Sequence, residues 1–478
     1  MSFRDDFLTT LKFTPTSNQE EAISLLDNFI FKQKEVLGFV LRGYAGTGKT
    51  TLIASLVNTL SIYRIRTVLL APTGRAAKVL SSYSGKRANT CHRYIYICVK
   101  DEDGNQKFIL RENKFKNTVF IVDEASMVSD VSSDGEIFSH RNLLEDLIYF
   151  IEQGENCKLI FVGDTAQLPP VGSDISPALD GNYLYSKFGF QTFGYELNEV
   201  VRQALNSSIL INASNLRYSI SKQRLRYPYL KANIDEDFSR LDFADLEYNL
   251  RNEYSKHGID EVVMVCRTNK YANLFNNQIR YRILDRENEI DSGDYIMCVK
   301  NNYFWLEESS PAGFIANGDI LRIKKIIRYH EAHGYRFADI IVNLVDYNDH
   351  PEIELTVMLN TLSSPSASLT KEENNELYKL VYQDYAHIKT KKERNKAIKE
   401  DIYYNALQIK FAYCLTCHKA QGGQWNTVFL DQGYYTEEMH NIEYLRWLYT
   451  AVTRAKQKIF LTNFKEEFFQ AEKEEKST

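Results

Sequence analysis

The chain has 478 residues with a formal net charge of −5, and 44% of them are hydrophobic and 25% charged. This composition is typical of folded globular proteins and excludes a wholly disordered or fibrous chain. At roughly 150 residues per domain, the length predicts about three domains. No apolar run approaches the roughly 20 residues of a membrane helix, and the start MSFRDDF lacks an apolar signal core, so we expect no membrane association and a cytoplasmic protein.

Short runs rich in Val, Ile, Leu and Phe predict buried strands separated by segments long enough for helices. These runs are residues 38–41, 67–71, 118–122 and 158–162, followed later by 261–266, 427–430 and 458–461. Such alternation favours parallel sheets with crossover helices. We therefore predict two α/β units, the first over residues 1–205 and the second formed by residues 206–290 together with 402–478.

Two segments interrupt the alternation and are predicted to be inserts. Residues 93–117 hold two alternating runs around DEDGN, which indicates a β-hairpin. Residues 291–401 begin with period-two runs typical of a small β-barrel and continue into a charged, helix-like arm ending KTKKERNKAIK. The basic residues of this arm could contact DNA or a partner, although a solvated helix face is the commoner interpretation of such a run.

The strongest motif lies at residues 43–50, which read GYAGTGKT and match the phosphate-binding loop G-x-x-x-x-G-K-[ST]. Gly43, Gly46 and Gly48 would let backbone N–H groups turn towards phosphates. Lys49 would reach the β- and γ-oxygens, and Thr50 would bind Mg²⁺. The loop follows a predicted strand and precedes a predicted helix, as this mechanism requires.

A second motif, FIVDEAS at residues 120–126, is an apolar strand that ends in two carboxylates. In nucleotide hydrolysis, Asp123 would hold Mg²⁺ and Glu124 would polarise the attacking water. The two motifs together predict an ATPase that uses ATP and Mg²⁺. Phosphoryl transfer also needs positive charge at the γ-phosphate, and Arg202 and Arg454 are candidate arginine fingers, so the nucleotide would lie in the cleft between the two units.

With these and further motifs in order, the sequence resembles superfamily 1 helicases of the RecD-like and Dda-like branch, which moves 5′ to 3′. The motifs that carry the resemblance are FTPTSNQEEAI (13–23), APTGRAAK (71–78), TCHR (90–93), GDTAQLPPVG (163–172), EVVRQ (199–203), TCHKAQGGQ (416–424) and YTAVTRAK (449–456). The resemblance implies an α/β fold with two RecA-like parallel-sheet domains. It also implies that the hairpin is a strand-separating pin and that the barrel is SH3-like.

The resemblance also implies roles for individual residues. Gln19 would read the adenine edge, and Gln167 would sense the γ-phosphate and link it to the DNA groove. The expected nucleotide contacts are Gln19, Gly43, Gly46, Thr47, Gly48, Lys49, Thr50, Thr51, Gln421 and Gly422. The expected DNA contacts, which lie at or just after predicted strand ends, are Pro72, Thr73, His92, Thr268, Asn269, Thr416 and His418.

The sequence departs from the family at one site. Family members more often carry Ser-Glu where this chain has Gly423-Gln424, so a sugar or γ-phosphate contact is in doubt there. We predict an ATP-dependent DNA helicase that acts as a monomeric motor on single-stranded and forked duplex DNA, in replication, recombination or repair. Two alternatives stay open: an Upf-like RNA helicase, and a DNA-stimulated ATPase that serves as a switch or remodeller.

Overall fold

The computed structural model describes residues 2–11, 13–31, 36–100, 106–131, 142–201, 207–224, 227–232, 237–306, 310, 314–347 and 352–470. In these ranges the chain forms a six-stranded sheet, a five-stranded sheet, a closed five-stranded barrel and a separate two-stranded hairpin. Every strand pairing within the two larger sheets is parallel. The predicted fold class is confirmed.

The first domain contains the six-stranded sheet. Its elements are α1 (Phe3–Thr10), α2 (Ser17–Phe31), β1 (Gly38–Gly43), α3 (Lys49–Ile62), β2 (Arg66–Ala71), α4 (Gly74–Ser84), β3 (Ala88–Thr90), α5 (Cys91–Ile95), β4 (Tyr96–Lys100), β5 (Gln106–Leu110), β6 (Thr118–Val122), α6 (Leu143–Glu152), β7 (Lys158–Gly163), α7 (Gly181–Phe188) and β8 (Thr192–Leu197). The strand order is β3-β2-β6-β7-β1-β8. Phe39 and Val40, neighbours on β1, enter different core clusters because successive side chains point to opposite faces of a sheet.

The rest of the chain forms the second domain and the barrel inserted into it. The elements are α8 (Ser208–Ser221), β9 (Phe238–Arg240), α9 (Leu246–His257), β10 (Val262–Cys266), α10 (Asn269–Gln278), β11 (Tyr295–Cys298), β12 (Ile320–Ala332), β13 (Tyr335–Leu344), β14 (Ile353–Met358), α11 (Asn360–Ser363), α12 (Lys371–Asp384), α13 (Lys391–Lys399), β15 (Leu407–Phe411), β16 (Cys414–Thr416), α14 (Cys417–Ala420), β17 (Trp425–Asp431), α15 (Ile442–Val452) and β18 (Ala455–Thr462).

The two parallel sheets share one topology. The order of the second sheet is β16-β10-β17-β18-β9. This order matches the segment β3-β2-β6-β7-β1 of the first sheet, strand for strand, so that β9 corresponds to β1 and β10 corresponds to β2. The carboxyl ends of equivalent strands therefore carry equivalent loops, and in such sheets those ends are where ligands bind.

The barrel is closed by strands β11 to β15, as the period-two runs predicted. Its last strand pairs with β11 through Ile296 and Phe411, and with β14 through Val357 and Leu407. The barrel therefore extends beyond residue 401, where the sequence placed the end of the insert. The charged arm is helical, and Leu377, Val381 and Ile398 pack its two helices against Phe337 of the barrel.

The predicted hairpin is confirmed in its two arms, β4 and β5, which pair antiparallel from Tyr96–Leu110 to Lys100–Gln106. Its tip, residues 101–105, lies outside the described residues. Phe108 of the hairpin lies 4.4 Å from the ring of Tyr303 and 5.9 Å from that of Phe314, measured between centroids. Both partners belong to the connection between β11 and β12, so the hairpin rests on the flank of the barrel.

Candidate nucleotide and nucleic-acid site

Three loops converge at the carboxyl edge of the first sheet. The loop 43–50 follows β1, the acidic pair Asp123 and Glu124 follows β6, and the turn that carries Gln167 follows β7. These strands are neighbours in the order β6-β7-β1. The sheet therefore brings together motifs that are far apart in sequence.

The phosphate-binding loop adopts the backbone conformation that its glycines predict. Gly46 and Gly48 have φ values of +77° and +81°, in the left-handed region that disfavours residues with a Cβ. Lys49 opens α3, and its Nζ donates to the carbonyl oxygens of Gly43 at 2.5 Å and Tyr44 at 2.9 Å. Thr50 and Thr51 follow in the first helical turn, where backbone N–H groups favour anions.

Gln19 of α2 supports this loop directly. Its side chain is buried, and Nε2 donates to the carbonyl oxygen of Thr47 at 3.0 Å. A Cβ at Gly48 would lie only 2.5 Å from that nitrogen. The structure thus places Gln19 against the phosphate-binding loop, and its predicted role towards adenine stays a prediction.

The acidic pair is partly buried and is held in a strained arrangement. Tyr83 of α4 donates to Asp123 Oδ2 at 2.5 Å, and the Glu124 backbone N–H donates to Asp123 Oδ1 at 2.9 Å. Burial, reinforced by the charge of Glu124, raises the pKa of Asp123 to about 6. Glu124 has φ +50° and ψ +37°, a conformation that costs free energy in a residue with a Cβ and that is concentrated at functional sites.

The polar groups here fit a magnesium-bound triphosphate. Carboxylate and hydroxyl oxygens are preferred Mg²⁺ ligands, and Asp123 and Thr50 would supply them. Ser126 Oγ and Gln167 Oε1 are buried and, within the described part of the chain, have no hydrogen-bond partner. Buried polar atoms without partners are rare in native proteins, so these two indicate a polar ligand at this edge.

The second domain contributes an arginine to the same site. Arg454 follows α15 with only 2% of its side chain exposed, and its Nη1 lies 4.0 Å from Glu124 Oε1. Its guanidinium donates to the carbonyl oxygens of Thr450 at 3.0 Å and Gly423 at 3.3 Å. Arg454, one of the two candidate arginine fingers, therefore reaches across the cleft, and its role in phosphoryl transfer stays a prediction. The other candidate, Arg202, lies outside the described residues.

The turn that bears Gln167 is also held by the second domain. The Leu168 backbone N–H donates to Thr450 Oγ1 at 2.8 Å, and Gln421 Nε2 donates to the Leu168 carbonyl at 2.8 Å. Gln421, grouped by sequence with the nucleotide contacts, is thus buried against this turn. Gly422, from the same group, packs elsewhere: a Cβ there would lie 2.9 Å from Ala76 Cβ and 3.0 Å from Thr73 Oγ1.

The residues predicted to bind DNA lie at or follow the carboxyl ends of the edge strand and its neighbour in each sheet. Ala71 of β2 pairs with Thr90 of β3, which brings Pro72 and Thr73 beside the segment that holds His92. In the second sheet Cys266 pairs with Thr416, which brings Thr268 and Asn269 beside His418. The two clusters lie at equivalent positions of the shared topology. A Cβ at Gly422 would lie 3.0 Å from Thr73 Oγ1, so the two domains approach each other closely near this edge.

The chemistry of this edge suits a phosphate backbone. Thr73 and Thr268 cap helices by accepting from the backbone N–H groups of Ala76 at 3.2 Å and Tyr271 at 3.3 Å. Each hydroxyl keeps its own proton to donate to a phosphate oxygen. Burial lowers the pKa of His92 to about 4, so at neutral pH its imidazole is uncharged.

Sequence reasoning missed an aromatic contact across the cleft. The Arg75 guanidinium of α4 lies 4.2 Å from the ring centroid of Trp425 on β17. A Cβ at Gly423 would meet Trp425 Cη2 at 2.4 Å and Arg75 Nε at 2.9 Å. This explains the departure from the family pattern, because no side chain fits at residue 423 beside this pair. Gly423 in place of the family's usual serine was the only sequence signal for the contact between Arg75 and Trp425.

Comparison with known proteins agrees with this architecture. The AAA domain family matches residues 32–173, and the UvrD-like helicase C-terminal domain family matches residues 411–462. The first match contains the phosphate-binding loop and the acidic pair, and the second contains Gln421 and Arg454. Among the residues that the structure describes, no helix is both long and apolar enough to cross a membrane.

Individual relatives include helicases. The chain is 25% identical over 476 residues to the ATP-dependent DNA helicase Dda of Enterobacteria phage T4, covering 93% of this chain and 98% of Dda. It is 30% identical over 174 residues to the ATP-dependent RecD2 DNA helicase of Deinococcus radiodurans, covering 36% of this chain and 21% of RecD2. A solved Bacteroides Pif1 helicase, in complex with ADP-AlF3 and ssDNA, aligns over 96% of this chain and 95% of its own, with 14% identity and a TM-score of 0.45. In its matched domains, its relatives and the order of its motifs, the chain is similar to superfamily 1 helicases of the branch of Dda and RecD2.

Proposed function

We propose that the protein is an ATP-dependent DNA helicase that moves 5′ to 3′ along single-stranded DNA and separates the duplex ahead of it. The observation that carries the proposal is the reach of Arg454, in the second domain, to within 4.0 Å of Glu124 in the first. A site completed by both domains makes hydrolysis sensitive to the width of the cleft. Turnover can therefore drive relative movement of the two domains.

Residues of both domains divide the chemical work. Glu124 would orient and polarise the attacking water, and Lys49 and Arg454 would stabilise the charge of the transferring phosphoryl group. Asp123 and Thr50 would hold Mg²⁺, which supplies charge neutralisation to the phosphates when bound. Gln167, whose Oε1 is buried and has no hydrogen-bond partner among the described residues, would respond to the γ-phosphate.

Single-stranded DNA would lie along the clusters around Thr73 and Thr268. Each cluster belongs to one domain, and the close approach of Gly422 to Thr73 brings the domains together near this edge. Opening and closing of the cleft would change the distance between the two clusters that bind the DNA strand. This is the minimal requirement for stepwise movement along DNA, and one chain supplies every part, so we propose a monomeric motor.

Strand separation is favoured over a switch by the seating of the hairpin. Phe108 is buried against Tyr303 and Phe314, so the hairpin is braced on the barrel. A braced hairpin can act as a wedge at a fork, whereas a switch needs none. Dda and RecD2 are named DNA helicases, which favours DNA over RNA. Such motors serve DNA replication, recombination and repair, and we propose that the protein acts in one of these processes.

The test is strand displacement with ATP and Mg²⁺ on duplexes that carry a 5′ tail, a 3′ tail or a 5′ RNA tail. We expect separation of the duplex with the 5′ DNA tail only, and Glu124→Gln as the control should separate none. Separation from the 3′ tail would contradict the polarity. Hydrolysis stimulated by DNA without separation would favour the switch, and preference for the RNA tail would favour the RNA helicase.

A further inference from the structure

One tyrosine joins three parts of the cleft through a single oxygen atom. Tyr449 lies on α15 of the second domain and is 1% exposed. Its hydroxyl accepts from the Ala45 backbone N–H at 2.9 Å, and it donates to Asp164 Oδ2 at 2.6 Å. Ala45 belongs to the phosphate-binding loop, and Asp164 begins the turn that carries Gln167. Both partners are in the first domain, so the two hydrogen bonds cross the cleft.

The carboxylate that receives this bond is itself fixed. Asp164 is 1% exposed, and its Oδ1 accepts from the Ala166 backbone N–H at 2.9 Å. Burial raises the pKa of Asp164, an effect opposed by Lys49 and by the bond from Tyr449. Without the tyrosine hydroxyl, Asp164 Oδ2 would lose this hydrogen-bond donor while it stays buried. An unpaired charged oxygen in a low dielectric costs free energy.

The neighbouring contacts hold the same turn. Thr450 accepts from the Leu168 N–H and Gln421 donates to the Leu168 carbonyl, each at 2.8 Å. Together with Tyr449 they form what we call the turn latch, three residues of the second domain bound to residues 164–168 of the first. The same helical region continues into Arg454. The helix α15 therefore contacts both the phosphate-binding loop and the Gln167 turn, and Arg454 follows it directly.

We propose that the Tyr449 hydroxyl is a positioning group that ties the phosphate-binding loop and the Gln167 turn to α15, so that ATP turnover is coupled to strand movement. The inference rests on the proposed helicase function. A displacement of Ala45 or Asp164 during turnover is passed through this oxygen to the helix that leads to Arg454. Without the hydroxyl, the opening and closing of the two domains is no longer coupled to ATP binding and hydrolysis.

The same helix offers a matched control. Tyr444 is also buried, at 2% exposure, and its hydroxyl accepts from Gln432 Nε2 at 2.7 Å. Both residues of that bond are in the second domain. Tyr444→Phe and Tyr449→Phe each delete one buried hydroxyl from α15, but only the second deletes bonds across the cleft.

The experiment measures base pairs separated per ATP hydrolysed, together with kcat and KM for ATP in the presence of single-stranded DNA. For Tyr449→Phe we expect kcat to fall about tenfold, in line with loss of a buried hydrogen bond to a charged group, with a much smaller change in KM. We also expect about threefold fewer base pairs per ATP. For Tyr444→Phe we expect wild-type values of the ratio and of kcat, at a comparable melting temperature.

The outcomes separate this inference from the function on which it rests. A wild type that hydrolyses ATP but never separates strands would overturn both. A wild type that does both, with equal values in the two phenylalanine variants, would overturn the positioning role alone. If Tyr449→Phe melts well below Tyr444→Phe, both variants are compared with the wild type at a lower temperature at which all three are folded. An equal ratio of base pairs to ATP in the two variants at that temperature would then refute the proposal.

Discussion

Restoring the family's usual residue at 423 should damage this protein. In Gly423→Ser, the new Cβ would lie 2.4 Å from Trp425 Cη2, 2.8 Å from Cζ3 and 2.9 Å from Arg75 Nε. The indole is 3% exposed and belongs to the core of the second domain, so it has little room to move. Gly423 does not have a positive φ, so the penalty comes from the side-chain clash and not from backbone strain.

The size of the effect follows from two contributions. Overpacking a filled core costs about 1–3 kcal/mol. Displacing Arg75 from the indole face removes a cation–π contact worth about 0.5–2 kcal/mol. The sum is about 1.5–5 kcal/mol, which for a domain of this size lowers the melting temperature by roughly 3–20 °C. Hydrolysis should fall as well, because the Gly423 carbonyl accepts from Arg454.

Thermal unfolding followed by calorimetry tests this, with Gly194→Ser as the matched control. Residue 194 also lacks a positive φ, and the nearest atom to its added Cβ is 3.6 Å away, so that serine should be tolerated. Repeating Gly423→Ser in a Trp425→Leu background should recover most of the loss, because the clashing ring atoms are gone. Equal melting shifts for the two serines, or no recovery in the leucine background, would refute the reasoning.

Three further outcomes are expected. Lys49→Ala and Glu124→Gln should each lower ATP turnover by roughly 10²-fold or more while fluorescence anisotropy shows DNA binding retained; loss of folding in both would contradict the assignment. Burial raises the pKa of Asp319 from 3.8 to about 7, so the folded state holds a proton that the unfolded state loses, and stability falls as pH rises between these values. Asp319→Asn should therefore raise the melting temperature more at pH 8 than at pH 5, and an equal gain at both would contradict the shift. Phe108→Ala should release the hairpin from the barrel and lower strand displacement with little change in DNA-stimulated hydrolysis; unchanged displacement would argue against the wedge.

Much of the fold could be predicted because it is encoded locally. A buried strand requires a short run of apolar residues wherever it lies, and the predicted run at 118–122 coincides with β6. The loop at 43–50 is defined by glycines whose positive φ values are a property of single residues. The barrel was predicted from its alternating runs but was ended too early, since β15 is recognisable only from its pairing with β11.

The amino-acid sequence by itself thus predicted the parallel-sheet architecture, the phosphate-binding loop and the acidic pair, and it named Arg202 and Arg454 as two candidate arginine fingers. Only the tertiary structure decided that Tyr449 bridges Ala45 and Asp164, and that Gly423 must lack a side chain beside Trp425 and Arg75. The reason is physical. Motifs depend on short-range backbone geometry, whereas contacts across the cleft depend on how two separately folded sheets are placed against each other, which no local pattern records.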